Sequence, residues 1–180
     1  MICSDHDQLR ICLEVEMRSG KRIGLLNGCF DLTHALHVEL LQKAKSLCDT
    51  LVVAINSDNS VRKLKGEGRP IFPQDHRLFI LDAFECVDYV VVFEETTVVN
   101  LLKSNMFSIW CKGSDYSATT LNKDEVAAAE KNNMTIALIP CKRATSTTKI
   151  IDRILISHSE VMEVREVTYA DYADEDDLNE

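Results

Sequence analysis

Two histidines three residues apart, His34 and His37, close the stretch NGCFDLTHALH, residues 27 to 37, which follows the apolar run RIGLL. That spacing puts both imidazoles on one face of a helical turn. A glycine where a strand ends, here Gly28, lets backbone N–H groups approach a phosphate, and the amino end of the next helix adds a positive dipole. Imidazoles in that position can donate hydrogen bonds to a polyphosphate and stabilise charge that builds on a phosphorus centre and its leaving group. Two other readings stand beside this one. A metal site needs a third ligand, which no nearby Cys or His offers at the usual spacing, and a pair of histidines can also be merely structural.

Other segments hold residues of comparable interest. SDNSVRKLKGEGRPIFP (57–73) combines Lys65 and Arg69 with two glycines and two prolines. It reads as a mobile basic loop that opens with a short helix. CKGSDY (111–116) places Lys112, Gly113, Asp115 and Tyr116 after a strand. In CKRATSTTK (141–149), Ser146, Thr147 and Thr148 open a helix and can cap its free N–H groups. The same helix end suits the outer phosphates of a triphosphate, with Arg143 just upstream as a weaker candidate.

The elements that must position these residues follow from the apolar pattern. Strands are expected at KRIGLLN, TLVVAIN, DYVVVF, FSIWCKG and MTIALIP. TLVVAIN is an almost unbroken β-branched run, as suits a strand covered on both faces. Helical spacing marks 7–19 (ending at Gly20), 34–47, the stretch from Pro73, TTVVNLLKSN, NKDEVAAAEKNN and TSTTKIIDRILIS. Five strands alternating with helices predict an α/β fold, a Rossmann-like, doubly wound, five-stranded parallel sheet in a single domain. Residues 1–20 read as an N-terminal helical extension, 21–158 as the domain and 159–180 as an acidic, disordered tail. Every segment of chemical interest follows a strand, where sheets of this kind bind ligands.

Composition narrows the classes. The chain of 180 residues is 46% hydrophobic and 27% charged. No apolar run approaches the roughly 20 residues of a membrane helix, and no signal peptide is visible in the first residues. The formal charge of −9 is concentrated at the end: residues 159–180 carry nine acids against Arg165. The basic residues form no stripe, so neither nucleic acid nor membrane is an expected partner. Seven scattered cysteines, none spaced as CxxC, read as reduced thiols in a cytoplasmic protein.

NGCFDLTHALHVELLQKA resembles the HxGH motif of the cytidylyltransferase-like nucleotidyltransferases. VAINSDNSVRKLKGEGRPI, ECVDYVVVFEE, CKGSDY and STTKIIDRI resemble successive blocks of the D-glycero-β-D-manno-heptose 1-phosphate adenylyltransferase branch. The resemblance runs from about Asp7 to Ile156. It implies transfer of a nucleoside monophosphate, AMP from ATP, to a sugar phosphate such as heptose 1-phosphate, with pyrophosphate released by in-line displacement. The other reactions in view are a cytidylyltransferase acting on an alcohol phosphate such as glycerol 3-phosphate, or no reaction at all in a silent nucleotide-binding protein. By the same resemblance, His34 and His37 contact the triphosphate around the reacting phosphorus. Asn27, Gly28, Cys29, Phe30 and Asp31 form the turn under the nucleotide. Lys65, with Arg69 beside it, meets the acceptor phosphate. Lys112, Gly113, Asp115 and Tyr116 meet base and ribose, and Ser146, Thr147 and Thr148 the outer phosphates. Mg²⁺ is expected to arrive with the triphosphate, its protein ligands unknown, and a homodimer is expected.

The chain departs from the motif at one position. HxGH has glycine where this sequence has Leu36. Turned into the core, Leu36 leaves both histidines in place; turned toward the ligand, it weakens nucleotide binding or shifts the helix start.

Overall fold

The computed structural model describes residues 1–113, 117, 119–142 and 145–170, with side chains described as far as 158. These form two compact units, Met1–Ala144 and Thr145–Glu180.

The first unit holds an all-parallel sheet of six strands: β1 (Ile2–Cys3), β2 (Ile23–Gly28), β3 (Thr50–Asn56), β4 (Tyr89–Phe93), β5 (Ile109–Gly113) and β6 (Thr135–Ile139). Their order is β1-β4-β3-β2-β5-β6. The α/β, doubly wound reading holds, with one strand more than the five expected. Two residues carry no readable period, and Ile2–Cys3 becomes a strand only by pairing with Val90 and Val91 of β4.

Alternation along each strand divides the core in two. Leu25, Val52, Ala54 and Val91 face a cluster with Leu9 and Leu13 of α1 (His6–Arg18), Leu101 and Leu102 of α5 (Val99–Leu102), and Ala128 and Ala129 of α6 (Lys123–Lys131). Leu26, Val53, Ile55 and Val90 face the other cluster. There they meet Leu40, Leu41 and Ala44 of α2 (Ala35–Lys45) and Leu81 of α4 (Gln74–Asp82). A strand with both faces covered must be apolar at successive positions, which is why β3 is buried along its whole length. Residues 1–20 therefore supply both an edge strand and two core leucines.

The segment from Ser57 is more helical than its two glycines suggested. Ser57 accepts a hydrogen bond from the Ser60 N–H and starts α3 (Asp58–Lys65), which ends at Gly66 with φ of 91°. The second unit is described by α7 (Thr147–Ala170), which continues past Ser159, where the sequence placed the start of the tail. Residues 171–180 lie outside the described residues.

Candidate active site

The strand order reverses between β2 and β5: the chain leaves β2 toward β3 and β4 on one side, and β5 leads to β6 on the other. A crevice opens at such a switch point beyond the carboxyl ends of the strands. The histidine turn leaves β2 there.

Residues 29–34 form the turn between β2 and α2. Phe30 and Leu32 take positive φ, 49° and 45°, and a Cβ on Gly28 would sit 3.3 Å from the buried Phe30 ring. His34 is the N-cap of α2 but its side chain makes no capping bond, and the first turn holds no acidic residue. Asp5, Ser57 and Asn122 do cap α1, α3 and α6. The α2 amino end thus keeps its N–H groups and dipole available to an anion.

The two imidazoles lie nearly parallel, with ring centroids 3.8 Å apart and 14° between planes, and Phe30 packs on His37 at 5.1 Å. Buried here without a hydrogen-bond partner are Thr33 Oγ1, His34 Nδ1 and His37 Nδ1. Buried polar atoms are rarely left unpaired, and here three of them fall within five residues. Burial lowers the His34 pKa, opposed by its own backbone. Burial and then the neighbouring His34 pull His37 down to about 4, against the opposing pull of Asp31. Both shifts favour the neutral ring at pH 7.

Asp31 is 1% exposed. It accepts from Arg69 Nε at 2.7 Å, Ile71 N at 2.9 Å and Phe72 N at 2.9 Å. Burial pushes its carboxyl up, but the amides of Phe72 and Ile71 together with Arg69 outweigh it and hold the pKa below the ordinary value. Arg69, read from sequence as a second acceptor cation, has its Nε on this carboxylate. Lys65 is exposed at the end of α3. Burial raises the Cys29 thiol pKa, while the charges of Lys65, Arg77 and Arg69 oppose it, so Lys65 lies within electrostatic reach of the turn.

Lys112 at the β5 exit is buried, its Nζ 3.3 Å from Asn27 Oδ1 and 3.7 Å from Glu125 Oε2. Trp110 Nε1 also donates to Asn27 Oδ1, at 3.0 Å, so Asn27 ties the β2 exit to β5. Gly113 ends β5 opposite Ile139. Asp115, Tyr116 and Arg143 lie outside the described residues. Ser146, Thr147 and Thr148 belong to the second unit, where Ser146 Oγ accepts from Lys149 N at 3.2 Å. Leu36 is half-buried and part of neither hydrophobic cluster. Among the described residues, no group of three or more His, Cys, Asp or Glu is disposed to hold a metal ion.

Sequence reading missed Arg77, whose side chain is fully buried. The signal was present: Arg77, Leu81 and Phe84 are spaced as a core-facing helical stripe, with a charge where a hydrophobe belongs. It also missed Thr33 within the turn, Asn56 at the end of β3, whose Oδ1 lies 3.8 Å from Cys29 Sγ, and Asp58, which Arg77 joins to the turn.

Known proteins resemble most of this chain. Bifunctional protein HldE of Pelobacter propionicus is 44% identical over 155 residues, 86% of this chain and 31% of its own. Bifunctional protein HldE of Helicobacter pylori is 45% identical over 148 residues, 82% of this chain and 31% of its own. The chain thus spans about a third of the length of the curated relatives it matches. Among solved structures, the lipopolysaccharide core biosynthesis protein from Thermoplasma volcanium shares the fold with a TM-score of 0.54 at 24% identity, over 70% of this chain and all of that one. Pantoate-beta-alanine ligase from Francisella tularensis does so with 0.53 at 15% identity, over 79% of this chain and 67% of that one. The family described as Cytidylyltransferase-like matches residues 25–163. With its histidine turn at the switch point of a doubly wound sheet, the chain belongs to the cytidylyltransferase-like family.

Proposed function

We propose that this chain is a nucleotidyltransferase that moves AMP from ATP to a sugar phosphate, heptose 1-phosphate in the first instance, and releases pyrophosphate. The observation that carries the reading is the trio of unpartnered buried atoms on Thr33, His34 and His37 at an uncapped helix amino end. A triphosphate supplies the acceptor oxygens those groups lack. An acceptor phosphate oxygen attacks the α-phosphorus, the bond to the β-phosphate oxygen breaks in line, and charge gathers on the departing pyrophosphate. With a proton on the unpartnered nitrogen, each imidazole donates to that charge. Lys65 draws the acceptor phosphate in, and the hydroxyls of Ser146, Thr147 and Thr148 meet the outer phosphates. Mg²⁺ enters as part of the substrate, held by phosphate oxygens and water, and offsets the repulsion between the two anions. A cytoplasmic setting agrees with seven scattered cysteines, none spaced as CxxC. A homodimer is part of the same reading.

The experiment is pyrophosphate release from ATP, CTP, GTP and UTP against a panel of sugar and polyol phosphates. ATP with a heptose 1-phosphate is expected to turn over, with His34→Ala and His37→Ala each lowering kcat by about 10²–10³. No turnover with any pair sinks the enzyme reading.

One observation favours a second reading. Leu36 stands between the histidines without a place in either core cluster. That suits a protein that holds nucleotide without reacting. On this reading Leu36→Gly raises nucleotide affinity or brings turnover into view; an unchanged Leu36→Gly protein frees Leu36 of blame.

A further inference from the structure

The turn that bears the histidines and the segment that bears Lys65 and Arg69 come from different parts of the chain. In-line transfer needs them at a fixed separation, because a nucleotide on one must meet an acceptor phosphate on the other within a few tenths of an ångström. The segment is poorly suited to hold itself in place. Gly66 and Gly68 both sit at positive φ, 91° and 82°, with open space around them, and residues 65 to 68 are exposed.

Two buried groups join the turn and the segment, with opposite polarity. Asp31 of the turn accepts from Arg69 Nε and from the backbone N–H groups of Ile71 and Phe72. Arg77 of α4 does the converse, donating with all three guanidinium nitrogens. Nη1 donates to the Cys29 carbonyl of the turn at 2.6 Å, and Nε to the Phe72 carbonyl at the end of the segment at 3.0 Å. Nη2 donates to Asp58 Oδ1 at the start of α3 at 2.7 Å. Gln74 Oε1 accepts from the Asp58 N–H at 3.2 Å and ties the same two helices again. Arg77 is 0% exposed, so its guanidinium works away from water, while the Asp58 side chain it meets keeps 26% of its surface exposed. Its planar fork serves three directions at once, which an ammonium on a flexible stem does not.

Resting on the reading of this site as a nucleotidyltransferase, we propose that Arg77 is a positioning residue that sets the separation between the histidine turn and the acceptor-binding segment. It touches no substrate. It acts through Cys29, Asp58 and Phe72, and through them on Lys65 and Arg69.

The test uses the full chain with Arg77→Lys and, as a milder change at the half-buried partner, Asp58→Asn. Hydrogen exchange is followed at Ile71 and Phe72 and at the β3 amides. In both variants the segment amides are expected to exchange at least tenfold faster, with β3 unchanged. Acceptor KM is expected to rise at least tenfold, with nucleotide KM moving less than threefold. A merely structural arginine gives instead a uniform rise in exchange across segment and β3, with both KM values unmoved per folded molecule. Either that uniform rise or an unmoved segment overturns the proposal. Exchange decides the tie even when no substrate pair turns over, whereas lack of turnover in the unaltered chain counts against the enzyme reading alone.

Discussion

At the residue scale, the site is defined by what its side chains lack. His37 has no partner on Nδ1, burial and His34 hold its pKa at about 4, and the ordinary value is 6.5. Between those two values the unfolded chain binds a proton there that the unliganded fold refuses. The contribution of His37 to stability is therefore whole above pH 6.5 and is lost as pH falls toward about 4. Denaturant midpoints of the unliganded protein are expected to fall through that window more steeply than those of His37→Gln. A bound polyanion reverses the preference and favours the charged ring. Triphosphate binding near pH 6 is then expected to take up protons, read as a calorimetric enthalpy that changes with buffer ionisation, and less so in His37→Gln. Equal proton uptake in both proteins removes His37 from the phosphate site. The histidine pair was legible because three-residue spacing after a strand exit has few structural meanings. The inward commitment of Asp31 was not legible, since its partners lie at Arg69, Ile71 and Phe72, far along the chain; the helical stripe marked Arg77 for burial, but not the partners its guanidinium meets there.

At the element scale, strands and helices were readable where burial imposes a period and obscure where pairing alone makes the structure. TLVVAIN became β3 with the ends expected, because a strand covered on both faces must be apolar throughout. The two-residue β1 and the anchoring of residues 69–72 came from tertiary contacts that leave no local pattern. Gly24 on β2 tests how tightly the layers are set. A Cβ there would stand 2.8 Å from Cys48 Sγ and 3.2 Å from Cys48 Cβ, and Cys48 is buried in the loop that follows α2. Gly24→Ala is expected to destabilise the fold by about 1–3 kcal/mol through overpacking. Adding Cys48→Ala removes the nearer atom and is expected to recover a large part of that loss in urea unfolding. No recovery in the double variant places the strain elsewhere than at this contact.

At the scale of the whole molecule, the fold and the reaction divide the chain differently. All six strands and both hydrophobic clusters, from Cys3 to Cys141, lie in the first unit. None of the described side chains from Thr145 to His158 is buried. Every buried side chain among the described residues therefore lies in residues 1–144, while the hydroxyls that open α7 carry a proposed role at the outer phosphates. A chain ending at Ala144 is expected to unfold cooperatively, with a free energy within about 1 kcal/mol of the full chain, a small part of a typical domain's stability. Its affinity for a triphosphate is expected to fall by about tenfold or more, because the helix end that would bind the β- and γ-phosphates is gone. Nucleoside monophosphate, which reaches only the histidine turn and the base site, is expected to bind the two chains alike. Urea unfolding and titration calorimetry on the same pair of proteins separate the outcomes. Loss of the cooperative transition makes α7 part of the folding unit, whereas equal triphosphate affinity in a folded truncated chain removes Ser146, Thr147 and Thr148 from the site.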